Sequence, residues 1–294
     1  MWSFLTCENL NRGKETEKVG LVGVLGNLFL FIIKIFIAIA SKSQALLADS
    51  VNSATDILSS IMTYVGGKIS QNASDENHNY GYGKAEYVFS LLISVVMVYL
   101  AVTVSISGLK SLALQAKFDF SYWLVLVCVI TIITKLVLYT YTNKIGKSSE
   151  NILILASSQD HKNDVLITSS VLIGMIAGKF NVYFLDGLIA IIIACKIFIE
   201  AIKFFMTSYT VLIDKSISEI ELRKIDQIIH DIPGIDHIDK ITSKAAGKSF
   251  VIIIKVSVDG NMTVNKSHEI AGKLKAKVME LKDVYDVVVH INPV

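Results

Sequence analysis

The chain has 294 residues, 52% hydrophobic and 18% charged, with a formal net charge of +2 and a mean hydropathy of +0.55. Soluble domains are about 45–50% apolar and about 25% charged, so this balance excludes an ordinary soluble globule and points to an integral membrane protein. There is no basic stripe of the kind that binds nucleic acid.

Met1 to Lys18 reads as a short polar arm. The apolar block that follows is too long for a signal peptide and has no clear small-residue cleavage site. Val19 to Ala40 is the first expected span and carries Lys34. The second runs from Ala45 to about Ile69, with Asn52 and Asp56 on it. Residues 71–84 are polar and glycine-bearing, which predicts a loop. Glu86 to Leu114 contains the third span, Tyr122 to Tyr141 forms the fourth with Lys135, Ile152 to Ala177 the fifth with Asp160 and Asp164, and Phe184 to Leu212 the sixth. Each is near the ~20 residues that a bilayer crossing needs. For Lys34 and Lys135 the expectation is snorkelling or pairing with a carboxylate, not a part in transport. Cys7, Cys128 and Cys195 have no metal-type spacing and predict no disulfide.

With the N-terminus in the cytoplasm, the inner side holds Arg12, Lys14, Lys18, Lys68, Lys84, Lys144, Lys147 and Lys215. The outer side holds Lys42, Lys110, Lys117 and Lys179. This bias predicts a multi-pass protein of the cell membrane with both termini cytoplasmic. After Asp214 the composition turns polar. Ser218 to Asp231 and Val264 to Leu281 have helical spacing, while Ile235 to Thr242, Phe250 to Val258 and Val284 to Ile291 read as strands, with a turn at Ala246-Gly247-Lys248. The order αββαβ predicts a small α+β domain. The domains are therefore drawn as 1–212, transmembrane, and 213–294, cytoplasmic.

Asn52 and Asp56 are four residues apart, as are Asp160 and Asp164. On a helix that spacing stacks two side chains on one face. Packing the two helices face to face gathers three carboxylates and one amide oxygen. Each carboxylate costs about 2.5–3.5 kcal/mol at mid-bilayer, so the group needs a partner, and a hard cation is the obvious one. Interhelical hydrogen bonding is the plainer reading, but such polar glue is usually Ser, Thr, Asn or Gln. Gly81-x-Gly83-Lys84 lacks the long glycine loop of a nucleotide site. Transport is then expected to draw on an ion gradient, because cation binding needs deprotonated carboxylates.

The motifs Asn52-x-x-x-Asp56, Asp75-Glu76-Asn77-His78-x-Tyr80-Gly81-Tyr82-Gly83-Lys84-Ala85-Glu86, Asp160-x-x-x-Asp164 and Val288-Val289-His290-Ile291-Asn292-Pro293 occur in this order. Together they resemble the cation diffusion facilitator family, over nearly the whole chain. The resemblance implies an all-α six-helix transmembrane domain and a ferredoxin-like or metallochaperone-like αββαβ cytoplasmic domain. It also implies a homodimer, joined through both domains, that exchanges a divalent cation for protons. Neither a resident cofactor nor a nucleotide is expected, and membrane lipid surrounds the helices. The implied cation site is Asn52, Asp56, Asp160 and Asp164. Zinc-type relatives place a histidine where Asp160 stands, so the set here is all oxygen and resembles the manganese-type branch. Oxygen ligands suit Mn²⁺, whereas imidazole suits Zn²⁺.

Candidate secondary metal ligands implied in the same way are Asp75 and His78 in the loop, with Tyr82 where relatives have a third ligand. In the C-terminal domain they are Asp239, His268 and His290, with Lys255 and Asn292 at positions where relatives carry ligands. A hydrogen-bonded loop without metal is the alternative for the first group, and a reduced or absent site for the second. Lys84 and Asp214 match an interdomain charge pair. Efflux of Zn²⁺, Fe²⁺ or Co²⁺ by the same mechanism, a non-transporting membrane metal sensor, and an intramembrane hydrolase with paired aspartates are the competing functions.

Overall fold

The computed structural model describes residues 2–41, 44–114, 122–178 and 184–294. Lys42, Lys117 and Lys179, and the side chains of Asp49 and Asn52, lie outside the described residues. Eight helices and three strands are formed among them: α1 (Trp2–Ser41), α2 (Gln44–Ser70), α3 (Ala85–Leu114), α4 (Tyr122–Ser149), α5 (Ile152–Gly178), α6 (Phe184–Leu212), α7 (Glu219–His230), β1 (His237–Ala246), β2 (Ser249–Val258), α8 (Val264–Val278) and β3 (Val284–Pro293).

Two expectations about length are corrected. The N-terminal polar arm is helical and continuous with the first apolar run. No proline interrupts it, and residues such as Leu5, Glu8, Leu10, Arg12, Lys14, Glu15, Glu17 and Lys18 favour a helix. Likewise α4 continues past Tyr141 to Ser149, through polar residues such as Lys144 and Lys147 that solvate readily.

Among the described residues, three helical segments are long and apolar enough to cross a membrane: Gly13–Ala40, Ala85–Ala113 and Tyr122–Ser148. The other long helices, α2, α5 and α6, match them in length, at 27, 27 and 29 residues. What separates α5 and α6 is charge: α5 carries Asp160, Lys162 and Asp164, and α6 carries Lys196, Glu200 and Lys203.

The chain divides into two compact units. One comprises Cys7–Asn72 and Ala85–Tyr209, the other Met1–Thr6, Ala73–Lys84 and Thr210–Val294. The helical unit inverts the usual order of a soluble core. It buries Asn27, Ser60, Thr63, Ser90, Lys135, Asn151, Asp160 and Asn163, while Phe36, Ile39, Tyr99, Ile133, Val137 and Ile192 are exposed. A surface this apolar is stable against lipid or another apolar face, not against water. Close helix contacts are made over small residues. A Cβ on Gly20 of α1 would fall 2.3 Å from the Tyr64 backbone nitrogen of α2, and one on Gly187 of α6 would fall 2.6 Å from the Gly108 carbonyl of α3.

The α4–α5 connection is set by two residues. Glu150 takes a left-handed backbone, φ 49°. Buried Asn151 then caps α5, its Oδ1 accepting from the N–H groups of Leu153 at 2.9 Å and Ile154 at 3.2 Å. The same amide donates to Thr16 Oγ1 at 2.9 Å and Glu86 Oε1 at 2.8 Å, tying α1 and α3 to the start of α5.

In the second unit the order αββαβ is observed. Ser218 starts α7 with a reciprocal capping box to Glu221. β1 pairs antiparallel with β2, and β2 pairs parallel with β3 across α8. β1 begins and ends later than expected, because pairing with the long β2 carries it through Ala246 and the turn narrows to Gly247-Lys248. Ile225 and Ile229 of α7, Leu274 and Val278 of α8, and Ile252, Ile254 and Val287 of the sheet form one core, each 1% exposed or less.

Candidate metal centre

Asp56 lies on α2, Asp160 and Asp164 on α5, and Lys135 on α4. The structure joins Asp56 and Asp164 through the lysine. Its Nζ donates to Asp56 Oδ2 at 2.8 Å and to Asp164 Oδ2 at 2.5 Å. Lys135 is 1% exposed, against 16% for Asp56 and 10% for Asp164. Of the two expectations for this residue, snorkelling and pairing, the geometry is pairing. Asp160, one turn before Asp164, is buried. It lies close enough to Lys135 and Asp164 to interact electrostatically with both. A buried ammonium and carboxylates are tolerable together because each supplies the counter-charge that hydration would otherwise provide. Asn52, the fourth candidate ligand, stands one turn before Asp56 on α2, with its side chain outside the described residues.

The helices around the cluster are braced by further polar contacts. Asn27 of α1 donates through Nδ2 to the Asp56 carbonyl at 3.1 Å and to Ser60 Oγ at 2.8 Å. On α5, Gln159 bonds to Asn163 at 3.2 Å and to Glu200 of α6, and Lys162 lies 3.8 Å from Glu200. Sequence reading missed Asn27 and Glu200, although a polar residue inside an apolar run is itself the signal for such contacts.

In the loop, Asp75 is fully engaged. Its Oδ1 accepts from the N–H groups of Asn77 at 2.9 Å and His78 at 2.6 Å and lies 3.2 Å from His78 Nδ1, while Tyr82 donates its hydroxyl to Oδ2 at 2.7 Å. The Tyr82 phenol, followed by these other hydrogen bonds, holds the Asp75 carboxyl below its ordinary range, and the same contact raises Tyr82. Tyr82 thus closes the turn from the position where relatives carry a ligand. Lys84 Nζ lies 2.6 Å from Asp214 Oδ1. That hydrogen bond lowers the Asp214 carboxyl. Asp214 occupies a left-handed backbone, φ 60°, just beyond α6.

In the C-terminal domain, pairing passes from Ile238 to Lys240, so Asp239 is an unpaired bulge residue. Bulges re-aim side chains. Asp239 accepts from Asn292 Nδ2 at 3.1 Å and from Ser257 Oγ at 3.0 and 3.1 Å, and lies 3.2 Å from His237 Nε2. The Asn292 amide, then Ser257 and His237, hold the Asp239 carboxyl down. His237 Nδ1 is 2.7 Å from Asp236 Oδ2, and this contact is the main reason its imidazole is raised. Thus Asp239 is joined to His237, two residues before it in β1. His290 stands opposite Lys255 in the β2–β3 ladder, and His268 lies on α8. Among the described residues, no three His, Cys, Asp or Glu side chains converge to hold a metal ion.

Residues 20–213 match the family described as cation efflux transmembrane domain, and residues 217–294 the family described as cation efflux protein, cytoplasmic domain. The chain is 26% identical over 290 residues to the manganese efflux system protein MneP of Bacillus subtilis, covering 96% of this chain and 97% of that one. It is 27% identical over 290 residues to the manganese efflux system protein MneS of the same organism, at 97% and 98% coverage. It is 26% identical over 267 residues to the cation-efflux pump FieF of Shewanella oneidensis, at 91% and 90% coverage. The metal-bound C-terminal domain of the CzcD transporter from Thermotoga maritima is similar at 23% identity and a TM-score of 0.25, covering 26% of this chain and 94% of that one. With both of its parts matched, the chain belongs to the cation efflux family, a family of membrane transporters and not of enzymes.

Proposed function

We propose that this protein is a proton-coupled efflux transporter for divalent cations, with Mn²⁺ the preferred cargo and Asn52, Asp56, Asp160 and Asp164 the site that carries it. The observation that supports the reading most is that Asp56 of α2 and Asp164 of α5 share one buried ammonium, Lys135 of α4, with the buried Asp160 one turn before Asp164. Lys135 supplies one positive charge against three carboxylates, so in their ionised form the group keeps an excess of buried negative charge, which argues for a cationic occupant. Proton coupling follows from the chemistry of the donors. Cargo binds carboxylates only in their ionised form, so loading releases protons and unloading takes them up.

The preference for Mn²⁺ rests on oxygen-only donors and on the manganese efflux proteins among the relatives. In this reading all six long helices cross the membrane, with residues 213–294 and both termini on the cytoplasmic side. Two copies associate through the C-terminal and transmembrane domains, in keeping with the cytoplasmic family match. The Lys84–Asp214 pair then acts as a hinge where helices meet domain. Reconstitution of the full chain in proteoliposomes tests the reading. Under an imposed proton gradient, Mn²⁺ uptake accompanied by counterflow of protons is expected. Flux that persists unchanged in Asp56→Asn would refute the site.

A further inference from the structure

Among the described residues Lys135 is the largest fully buried side chain, and the proposed transport cycle gives it no task. It is nonetheless bonded to the same groups that would hold the cargo, taking one oxygen from Asp56 on α2 and one from Asp164 on α5. An ammonium and a divalent cation drawn to the same carboxylates repel each other strongly wherever water is excluded. They cannot both enjoy full contact with Asp56 and Asp164.

We propose that Lys135 is a tethered internal cation that competes with the cargo for Asp56 and Asp164. It withdraws as the cargo loads and returns as the cargo leaves. The inference rests on the transport reading given above and adds a residue that sets affinity and release. Two features suit the role. The charge sits on a flexible four-carbon stem, so it can leave the carboxylates without any movement of α4. One turn away on α4, the Thr131 hydroxyl is buried and has no hydrogen-bond partner among the described residues. It gives the withdrawn ammonium an acceptor on its own helix. Ser53, three residues before Asp56 on α2, has a hydroxyl in the same condition.

The benefit to a carrier is on the return stroke. Uncompensated carboxylates inside a bilayer are costly, and an arm that neutralises them lets the protein reset without cargo. The arm also limits how tightly the cargo is held, which favours release.

Two measurements test this. The first uses the wild-type chain in proteoliposomes and the membrane-permeant reagent dicyclohexylcarbodiimide. The reagent converts a carboxyl group to an O-acylisourea. The Lys135 amine attacks the acyl carbon, dicyclohexylurea leaves, and an amide bond to Asp56 or Asp164 remains, detected by peptide mass spectrometry. Saturating Mn²⁺ is expected to suppress this crosslink and to spare one between Lys84 and Asp214. A crosslink that is absent, or that survives saturating Mn²⁺, overturns the proposal.

The second is Mn²⁺ binding by isothermal titration calorimetry to the purified full chain. Lys135→Met is expected to bind about tenfold more tightly, ~1.4 kcal/mol, with slower turnover at saturating Mn²⁺, while Lys135→Arg stays near wild type. Binding no tighter in Lys135→Met overturns the proposal. Asp56→Asn separates the two levels of failure. If wild-type Mn²⁺ binding is absent or unaffected by Asp56→Asn, the transport site itself is wrong. If binding depends on Asp56 but ignores Lys135, only the competing arm is wrong.

Discussion

Two carboxylate clusters in this protein use similar groups in opposite surroundings. Around Asp164, buried between helices, one ammonium bridges two acids and water has almost no access. Around Asp239, on the bulged strand of the small domain, a carboxylate meets an imidazole, a hydroxyl and an amide while 27% of its side chain stays exposed. Water replaces any lost partner at the second cluster and cannot readily do so at the first. The difference teaches that charge pairing is a requirement of the helical unit and only an adjustment in the C-terminal domain.

The contrast is broken most severely by removing a buried acid. Asp56→Ala and Asp164→Ala should each abolish Mn²⁺ transport in proteoliposomes, since each removes an anionic donor and half of the Lys135 pairing. Opening a buried pair costs about 3–5 kcal/mol, so stability should fall too. Size-exclusion chromatography is expected to show the dimer intact. Wild-type rates at normal membrane expression would end the site assignment.

For the C-terminal domain the comparable loss lies in apolar packing, not charge. Leu274 is fully buried in its core. Leu274→Ala in a fragment spanning 217–294 should lose about 2–5 kcal/mol in urea unfolding. The fragment itself is expected to fold and dimerise alone. A loss below one kcal/mol, roughly the surface-substitution range, would mean that the core is not as drawn.

A change of donor type is gentler than its removal. Asp160→His introduces a nitrogen that suits Zn²⁺ more than Mn²⁺. The ratio of Zn²⁺ to Mn²⁺ transport efficiency should rise about tenfold, or ~1.4 kcal/mol. An unchanged ratio in an active protein moves selectivity away from residue 160. Smaller again is the helix cap: Ser218→Ala removes the capping box of α7 and should cost ~1 kcal/mol in the same urea assay.

The smallest effect lies in the exposed cluster and is read by proton titration. His237 is raised above its ordinary 6.5 by its contact with Asp236, then by the Asp239 charge. Its folded-state pKa therefore exceeds the unfolded one. The stabilisation it brings is fully present below the ordinary value and is lost as pH rises through the raised one. Asp239, held below its ordinary 3.8, works in the other direction. Its contribution is present above that value and is lost as pH falls through the lowered one. NMR titration of the fragment should show His237 returning toward 6.5 in Asp236→Asn, with urea stability almost unmoved. A His237 titration that ignores Asp236 would remove this contact from solution.

Much of this could be read along the chain because it depends on local order. Long apolar blocks imply a lipid-facing helical unit, since backbone polar groups must be satisfied within each helix. Alternation and helical spacing after Asp214 give αββαβ, and Ser218-x-x-Glu221 marks the start of α7. The acids at 56, 160 and 164 stand out because charge is rare in such blocks. Other features depended on residues far apart in sequence. Lys135 reads as an isolated lysine until α4 lies beside both α2 and α5, because its partners are 79 and 29 residues away. Tyr82 reads as a missing ligand until the loop closes and its hydroxyl reaches Asp75. Asp239 reads as a partner for distant histidines until the bulge turns it toward Ser257 and Asn292. Periodicity fixes which face a side chain occupies, but only the packed structure determines what that face meets, because those contacts join segments whose sequence spacing carries no mark of their proximity.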